Sequence, residues 1–205
     1  HFVIDFDSTF TKVEALDILG EISLQNHPEK EVRLEKIKDV TDRGMAGELS
    51  LRESLVERIE ILDAHQDHLT ELVERLSKQV SKSINRNKVF FEQNAANTYI
   101  VSNGFKDFIV PVVEQLGIKA EHVFANDFVF DNNGNIIDFN RDNVLSSNGG
   151  KVKQIEQLSL DGEIHMIGDG YTDYEVREAG VANKFYAYTE NIEREKVKAN
   201  ADHIA

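Results

Sequence analysis

The 205-residue chain carries 23 basic and 37 acidic side chains, a net charge of −14, with 40% hydrophobic and 29% charged residues. That balance suits a soluble globular protein of one large or two small domains. It argues against a general nucleic-acid or anionic-membrane binder, which needs basic patches, but not against a small anionic substrate at one locally positive site. Cysteine is absent, so disulfides and thiolate metal sites are excluded. No run of about 18 apolar residues marks a membrane span, and no signal-like leader is visible. A reducing cytoplasm is the expected location. The chain does not begin with Met, which leaves a removed leader open, and the ending at ADHIA leaves open that it continues past Ala205.

The first fourteen residues, HFVIDFDSTFTKVE, organise the rest. Phe2, Val3, Ile4 and Phe6 read as a buried parallel strand that ends in Asp5 and Asp7, followed by Ser8, Thr9 and Thr11. Period-two geometry sends Asp5 and Asp7 to one side. Two carboxylates at the end of an apolar strand need a partner, and a divalent cation is the simplest. The alternative is a helix N-cap at a strand-to-helix turn.

From Thr11 to Ser83 the pattern is helical. Thr11 and Glu14 have capping-box spacing ahead of Leu16, Leu19 and Ile22, and Asn26-His27-Pro28 breaks the helix. A second helix runs from Glu29 to near Gly44. A third opens on the capping box Ser50/Glu53 and carries the stripe Leu51, Leu55, Ile59, Leu62. A fourth carries Leu69, Val73, Leu76 and Val80. Roughly seventy residues of short helices after the first strand read as an inserted cap. The expected division is 1–12 and 84–205 as an α/β core, with 13–83 as the cap that sets substrate specificity.

The second half alternates strands and helices, as in a parallel α/β sheet. Thr98–Val101 is a strand ending in Ser102-Asn103-Gly104, with a helix to Leu116 and Gly117 as its stop. Val123–Ala125 is a strand, and Phe128–Phe130 with Ile136–Phe139 form a β-hairpin. Gly149-Gly150-Lys151 opens a helix. Ile164–Ile167 is a strand ending in the run GDGYTD, which holds Asp169 and Asp173. Lys184–Tyr188 and Ala201–Ile204 complete the sheet.

Asp5, Asp7, Ser102, Lys151, Asp169 and Asp173 thus fall at carboxyl ends of strands or at the helix starts that follow, the ligand edge of an open α/β sheet. Four acids there imply a hard cation with oxygen ligands, and Mg²⁺ suits few carboxylates plus water and phosphate. Ser102 with the N–H groups of Asn103 and Gly104 reads as an anion cradle at a helix start, and Lys151 as a point charge for a phosphate oxygen. Singly, Ser102 could be a plain turn and Lys151 a solvated lysine. Together they point to phosphoryl transfer through an aspartyl-phosphate.

DFDST, then Ser102-Asn103-Gly104, then Lys151, then GDGYTD resemble the four ordered motifs of the haloacid dehalogenase superfamily. Over essentially the whole chain the resemblance is to its phosphoserine phosphatase family. It implies a Rossmann-like core with a C1-type helical cap, Asp5 as nucleophile, and Asp7 as general acid/base offering its backbone carbonyl to Mg²⁺. It further implies Asp169 as third metal ligand, Asp173 as a supporting carboxylate, and Ser102 and Lys151 on the phosphoryl oxygens.

Glu14 lies where that family places the glutamate receiving the substrate ammonium, although it could instead close the capping box with Thr11. Arg58 sits on the apolar stripe of the third helix, where it either snorkels to water or binds a buried carboxylate. The family comparison favours the carboxylate. Met45 matches a position that closes over the substrate, or is core filler. Asn103 stands where the family has glycine and is expected to crowd the phosphate cradle; Thr172 stands where the last motif has asparagine.

The resemblance implies Mg²⁺-dependent hydrolysis of O-phospho-L-serine, the last step of serine biosynthesis. The rivals are a related small-metabolite phosphatase or phosphotransferase, acting for example on phosphohomoserine, and a catalytically silent phosphate-binding module of a longer protein. The expected partner is a small phosphate monoester, with monomer or homodimer left open.

Overall fold

The computed structural model describes residues 1–46 and 48–205, except the side chains of Met45 and Ala46. Met45, expected to close over substrate, therefore lies outside the described part. Strand β1 (Phe2–Ile4) leads into a tight turn over Phe6–Phe10. Six helices follow: α1 (Ala15–Ser23), α2 (Lys30–Ala46), α3 (Leu51–Leu62), α4 (His68–Ser77), α5 (Lys82–Arg86) and α6 (Lys88–Asn94). The chain continues with β2 (Thr98–Phe105), α7 (Lys106–Val113), β3 (Val123–Asn126) and the hairpin β4 (Phe128–Phe130) and β5 (Ile136–Phe139). It closes with α8 (Gly150–Leu158), β6 (His165–Gly168), α9 (Tyr171–Glu178), β7 (Lys184–Ala187), α10 (Glu195–Lys198) and β8 (His203–Ile204).

Six strands form a parallel sheet in the order β3-β2-β1-β6-β7-β8, and the hairpin stands apart as a second sheet. The winding direction reverses at β1, whose neighbours are β2 and β6. A crevice opens at such a reversal, beyond the carboxyl ends of the strands. β1 is apolar on both sides because both are covered. Val3 packs with Val101, Met166 and Phe185, whereas Ile4 packs with Ile100, Phe105 and Phe108.

The second cluster runs without interruption into the helical insertion through Leu16, Leu19, Leu55, Leu62, Leu72 and Leu76. Each fully buried leucine contributes roughly 1.5–3 kcal/mol, so this contact fixes the insertion over the sheet edge. The Ser50/Glu53 capping box forms as expected. The N-terminal end of α3 is also tied to the core: Arg52 donates to the Arg141 carbonyl (2.9 Å), and the Leu51 N–H donates to Asn148 Oδ1 (2.9 Å).

The two linkers to the insertion cross as neighbours. Thr11 and Val80 form an antiparallel bridge, and the Ser81 N–H donates to the Phe10 carbonyl (2.9 Å). A loop after β7 clasps the crossing. Asn191 Nδ2 donates to the Ser8 carbonyl (3.0 Å) and Ser81 Oγ (2.8 Å), while Glu190 accepts the Lys82 N–H (2.7 Å) and the Ser83 N–H (3.0 Å).

Several elements differ from expectation. β1 ends at Ile4 rather than Phe6, because the turn begins at once: the Phe10 N–H reaches back to the Asp5 carbonyl and the Thr11 N–H to the Phe6 carbonyl. β2 runs on to Phe105, so Ser102-Asn103-Gly104 lies inside an irregular strand end and not at a helix start; its register with β3 shifts between Val101 and Phe105. The fourth helix stops at Ser77, freeing Val80 for its bridge. Helices α5 and α6 had no expected counterpart; short and lacking a clean apolar period, they are held by Ile84 and Phe91 in the core. Among the described residues, no helix is long and apolar enough to cross a membrane.

Candidate active site

A cavity of about 810 Å³ lies between the carboxyl edge of the sheet and the insertion, and Asp5, Asp7, Glu14, Arg58, Ser102 and Lys151 all line it. Its floor is the sheet edge. Asp5 closes β1 in extended geometry, and its Oδ1 accepts the Phe6 N–H (2.7 Å). Lys151, on the first turn of α8 and 2% exposed, reaches Asp5 Oδ2 (2.8 Å) and Asp173 Oδ1 (2.7 Å). Asp173 is wholly buried, and its other oxygen accepts the Gly170 N–H (3.0 Å). Gly168 is required here, since a Cβ would lie 2.2 Å from that carboxylate. Asp169 accepts the Thr9 hydroxyl (2.9 Å) and pairs with Arg194 (3.0 Å).

Carboxylate oxygens of Asp5, Asp169 and Asp173 lie within 4.8 Å of one another. Burial raises the pKa of Asp169, and Asp5 adds to it, while Arg194 and Thr9 oppose. Burial likewise raises Asp173, with Lys151 opposing and Asp5 and Asp169 adding. Burial alone would depress the Lys151 ammonium, but Asp173 and Asp5 outweigh it and hold it above the ordinary lysine range. Crowded, desolvated carboxylates with all-oxygen donors fit a divalent cation such as Mg²⁺ or Ca²⁺.

The roof is built on the insertion. Asp7 lies in the turn after β1, so strand alternation does not apply to it. Its Oδ1 accepts the Ala15 N–H (2.8 Å) at the start of α1, and its Oδ2 faces Gly104 at the end of β2. Burial raises the Asp7 pKa well above the usual carboxylate value; Glu14 and Asp5 add to this, and the Ala15 hydrogen bond and Arg58 oppose it. Glu14 accepts the Ser8 hydroxyl (2.6 Å), and burial raises its pKa to about 7. The Thr11/Glu14 capping box does not form. Thr11 Oγ1 donates instead to the Phe6 and Val13 carbonyls, and α1 begins after an N-cap without a side-chain bond.

Arg58 is anchored by its Nε to the Ser54 carbonyl (3.2 Å). Burial lowers its pKa, and the nearby charges of Glu14, Asp17 and Asp7 raise it. Asp17 accepts the Thr41 hydroxyl from α2 (3.1 Å).

At the strand end, the Gly104 N–H donates to Ser102 Oγ (3.0 Å). Asn103 does not crowd the cradle with its side chain, because its Nδ2 turns to the Leu145 carbonyl (2.8 Å). Thr172 lines the cavity from the first turn of α9.

The sequence reading did not single out Ser8, Asp17, Asn191 or Arg194 for a role. Asp17 had a signal, lying three residues after Glu14 on one helix. Arg194 had none, since the run NIEREK reads as a solvated charged segment.

An open parallel sheet with an acidic edge, a buried lysine and a helical insertion is the architecture of the haloacid dehalogenase-like hydrolases, whose family model matches residues 2–178; the chain belongs to this family, within its phosphoserine phosphatase branch. It is 32% identical over 203 residues to "Phosphoserine phosphatase, chloroplastic" of Arabidopsis thaliana, covering 98% of this chain and 66% of that protein. To "Phosphoserine phosphatase" of Drosophila melanogaster it is 29% identical, covering 97% of this chain and 72% of the relative. A phosphoserine phosphohydrolase-like protein from Francisella tularensis superposes with a TM-score of 0.86 at 31% identity, over 100% of this chain and 94% of that one.

Proposed function

We propose that the protein hydrolyses O-phospho-L-serine to L-serine and phosphate, with Mg²⁺ as the cation. One observation carries this reading: a single cavity is lined both by the Asp5–Lys151 pair and by Arg58 with Glu14. The first pair suits a phosphoryl group, the second the carboxylate and ammonium of an amino acid. The Arabidopsis and Drosophila relatives named above support the same choice.

Asp5 attacks phosphorus through a carboxylate oxygen, the phosphorus–oxygen ester bond breaks, and the serine oxygen takes a proton from Asp7. Asp7 then accepts a proton from water as that water attacks the aspartyl-phosphate, releasing phosphate and restoring Asp5. A raised pKa suits Asp7 to hold the first proton. Lys151, Ser102 and the backbone of Asn103 and Gly104 hold phosphoryl oxygens. Asp5, Asp169 and the Asp7 backbone carbonyl would hold Mg²⁺, with Asp173 supporting; the ion would neutralise charge on the phosphoryl oxygens. Residues 13–83 act as the specificity cap over a core of 1–12 and 84–205, and the cytoplasm is the proposed location, with the last step of serine biosynthesis as the proposed role.

The test is phosphate release from phosphoserine, phosphothreonine, phosphohomoserine and p-nitrophenyl phosphate, with Mg²⁺ and with chelator. Phosphoserine should be turned over fastest and only with metal. Faster phosphohomoserine turnover would reassign the substrate, and full activity in chelator would remove the cation.

A further inference from the structure

Ser8 is 1% exposed, and its three polar groups are all engaged. Its N–H donates to the Val13 carbonyl (3.4 Å), its hydroxyl donates to Glu14 Oε1 (2.6 Å), and its carbonyl accepts Asn191 Nδ2 (3.0 Å). It adopts φ +55° and ψ 1°, a left-handed conformation unfavourable for a residue with a Cβ. That turn places the hydroxyl six residues along the chain, against the glutamate, while Asp7 on one side of Ser8 meets the Ala15 N–H and Thr9 on the other meets Asp169. A plain turn would be easier with glycine or asparagine, so the serine hydroxyl is what this position adds.

We propose that Ser8 is a specificity-determining positioning residue: its hydroxyl fixes the Glu14 carboxylate towards the amino group of the substrate. The inference rests on the phosphoserine reading and deepens it. Glu14 has a long, flexible side chain opposite Asp169 and beside Asp17 and Asp7, all of which repel it, and Arg58 attracts it. Left to those forces, it would swing towards Arg58 and neutralise the group meant for the substrate carboxylate. A charge-assisted hydrogen bond of 2.6 Å from a rigid, buried turn holds it away from that collapse.

The experiment compares kcat and KM for phosphoserine and p-nitrophenyl phosphate in the wild-type chain, Ser8→Gly, Glu14→Gln and the double variant. Ser8→Gly keeps the left-handed turn without strain but removes the whole hydroxymethyl group; Ser8→Ala removes only the hydroxyl and makes the same comparison should glycine loosen the fold, which thermal unfolding reports. The expected result is a fall of about tenfold in selectivity for phosphoserine over p-nitrophenyl phosphate, carried mainly by KM. In the Glu14→Gln background the Ser8 substitution should cause little further loss of selectivity, because the two residues act as one unit. An equal fall on both substrates, or additive losses of selectivity in the double variant, overturns the assignment. A wild-type enzyme with no preference for phosphoserine overturns the substrate reading instead, so the two failures are told apart.

Discussion

At the sheet edge, Asp5, Asp169 and Asp173 have Lys151 and Arg194 within salt-bridge distance, whereas under the insertion Asp7, Glu14 and Asp17 gather around Arg58. The first group is held by short ion pairs and backbone donors. The second is held mostly by single hydrogen bonds from Ser8, Thr41 and the Ala15 N–H; burial raises the pKa of all three acids, as it does for Asp169 and Asp173, but only Arg58 opposes it as a cation. The floor is thus organised before any substrate arrives, while the roof carries an electrostatic imbalance that a cationic group would relieve. Phosphoryl chemistry needs preorganised charge, and recognition of an ammonium needs unspent negative charge.

The sharpest way to break this contrast is at the floor. Asp5→Asn keeps the shape but removes the attacking charge, so turnover should fall by several orders of magnitude on every ester. Near-normal turnover would remove the covalent mechanism. Lys151→Ala leaves Asp5 and Asp173 without their shared cation, a loss on the order of 3–5 kcal/mol that should lower the melting temperature by about 10 °C. Calorimetry finding no change would show that the floor does not depend on this pairing.

The roof should respond selectively. Arg58→Ala is expected to lower kcat/KM for phosphoserine about ten- to a hundred-fold, with much less effect on p-nitrophenyl phosphate. An equal loss on both would make Arg58 structural.

The smallest effect is a matter of pH. Glu14 has its pKa raised from 4.5 to about 7 in the folded chain, which therefore holds that proton more tightly than the unfolded chain. Its contribution to stability is complete below pH 4.5 and is lost as pH rises through 7. Glu14→Gln lacks this penalty, so relative to wild type it should gain on the order of 1–3 kcal/mol between pH 5 and pH 8. Parallel unfolding curves across that range would mean that Glu14 is not under the strain assigned to it.

The floor was more legible in the sequence than the roof. Asp5, Lys151, Asp169 and Asp173 each follow a short apolar run or a glycine turn, and strand ends in a parallel sheet share one edge by construction. The roof depends on how helices pack. Arg58 was visible because it interrupts the apolar stripe of α3, but nothing in the local pattern shows that Asp17 meets Thr41 of α2. Glu14 had the right spacing for a cap to Thr11, yet Thr11 was claimed by backbone carbonyls and the glutamate by Ser8. The turn over Phe6–Phe10 and the strand-like Ser102–Gly104 were missed for a related reason: both depart from regular period, which is what pattern reading relies on.

The clasp at the linker crossing bears on the order in which the chain can become functional. Asn191 lies 183 residues beyond Ser8, and Glu190 more than a hundred beyond Lys82. During synthesis from the N-terminus, α1 to α4 can emerge and pack long before residues 190 and 191 exist. Until that late loop arrives, the turn bearing Asp7 and Ser8 lacks its donor, and the insertion is joined to a sheet still missing β8. Closing so long a loop adds only modestly to the entropic cost but makes the step slow. A nascent chain stalled before Asn191 would hold every residue assigned here to substrate and metal, yet it would lack the side chain that ties together the two linkers between floor and roof.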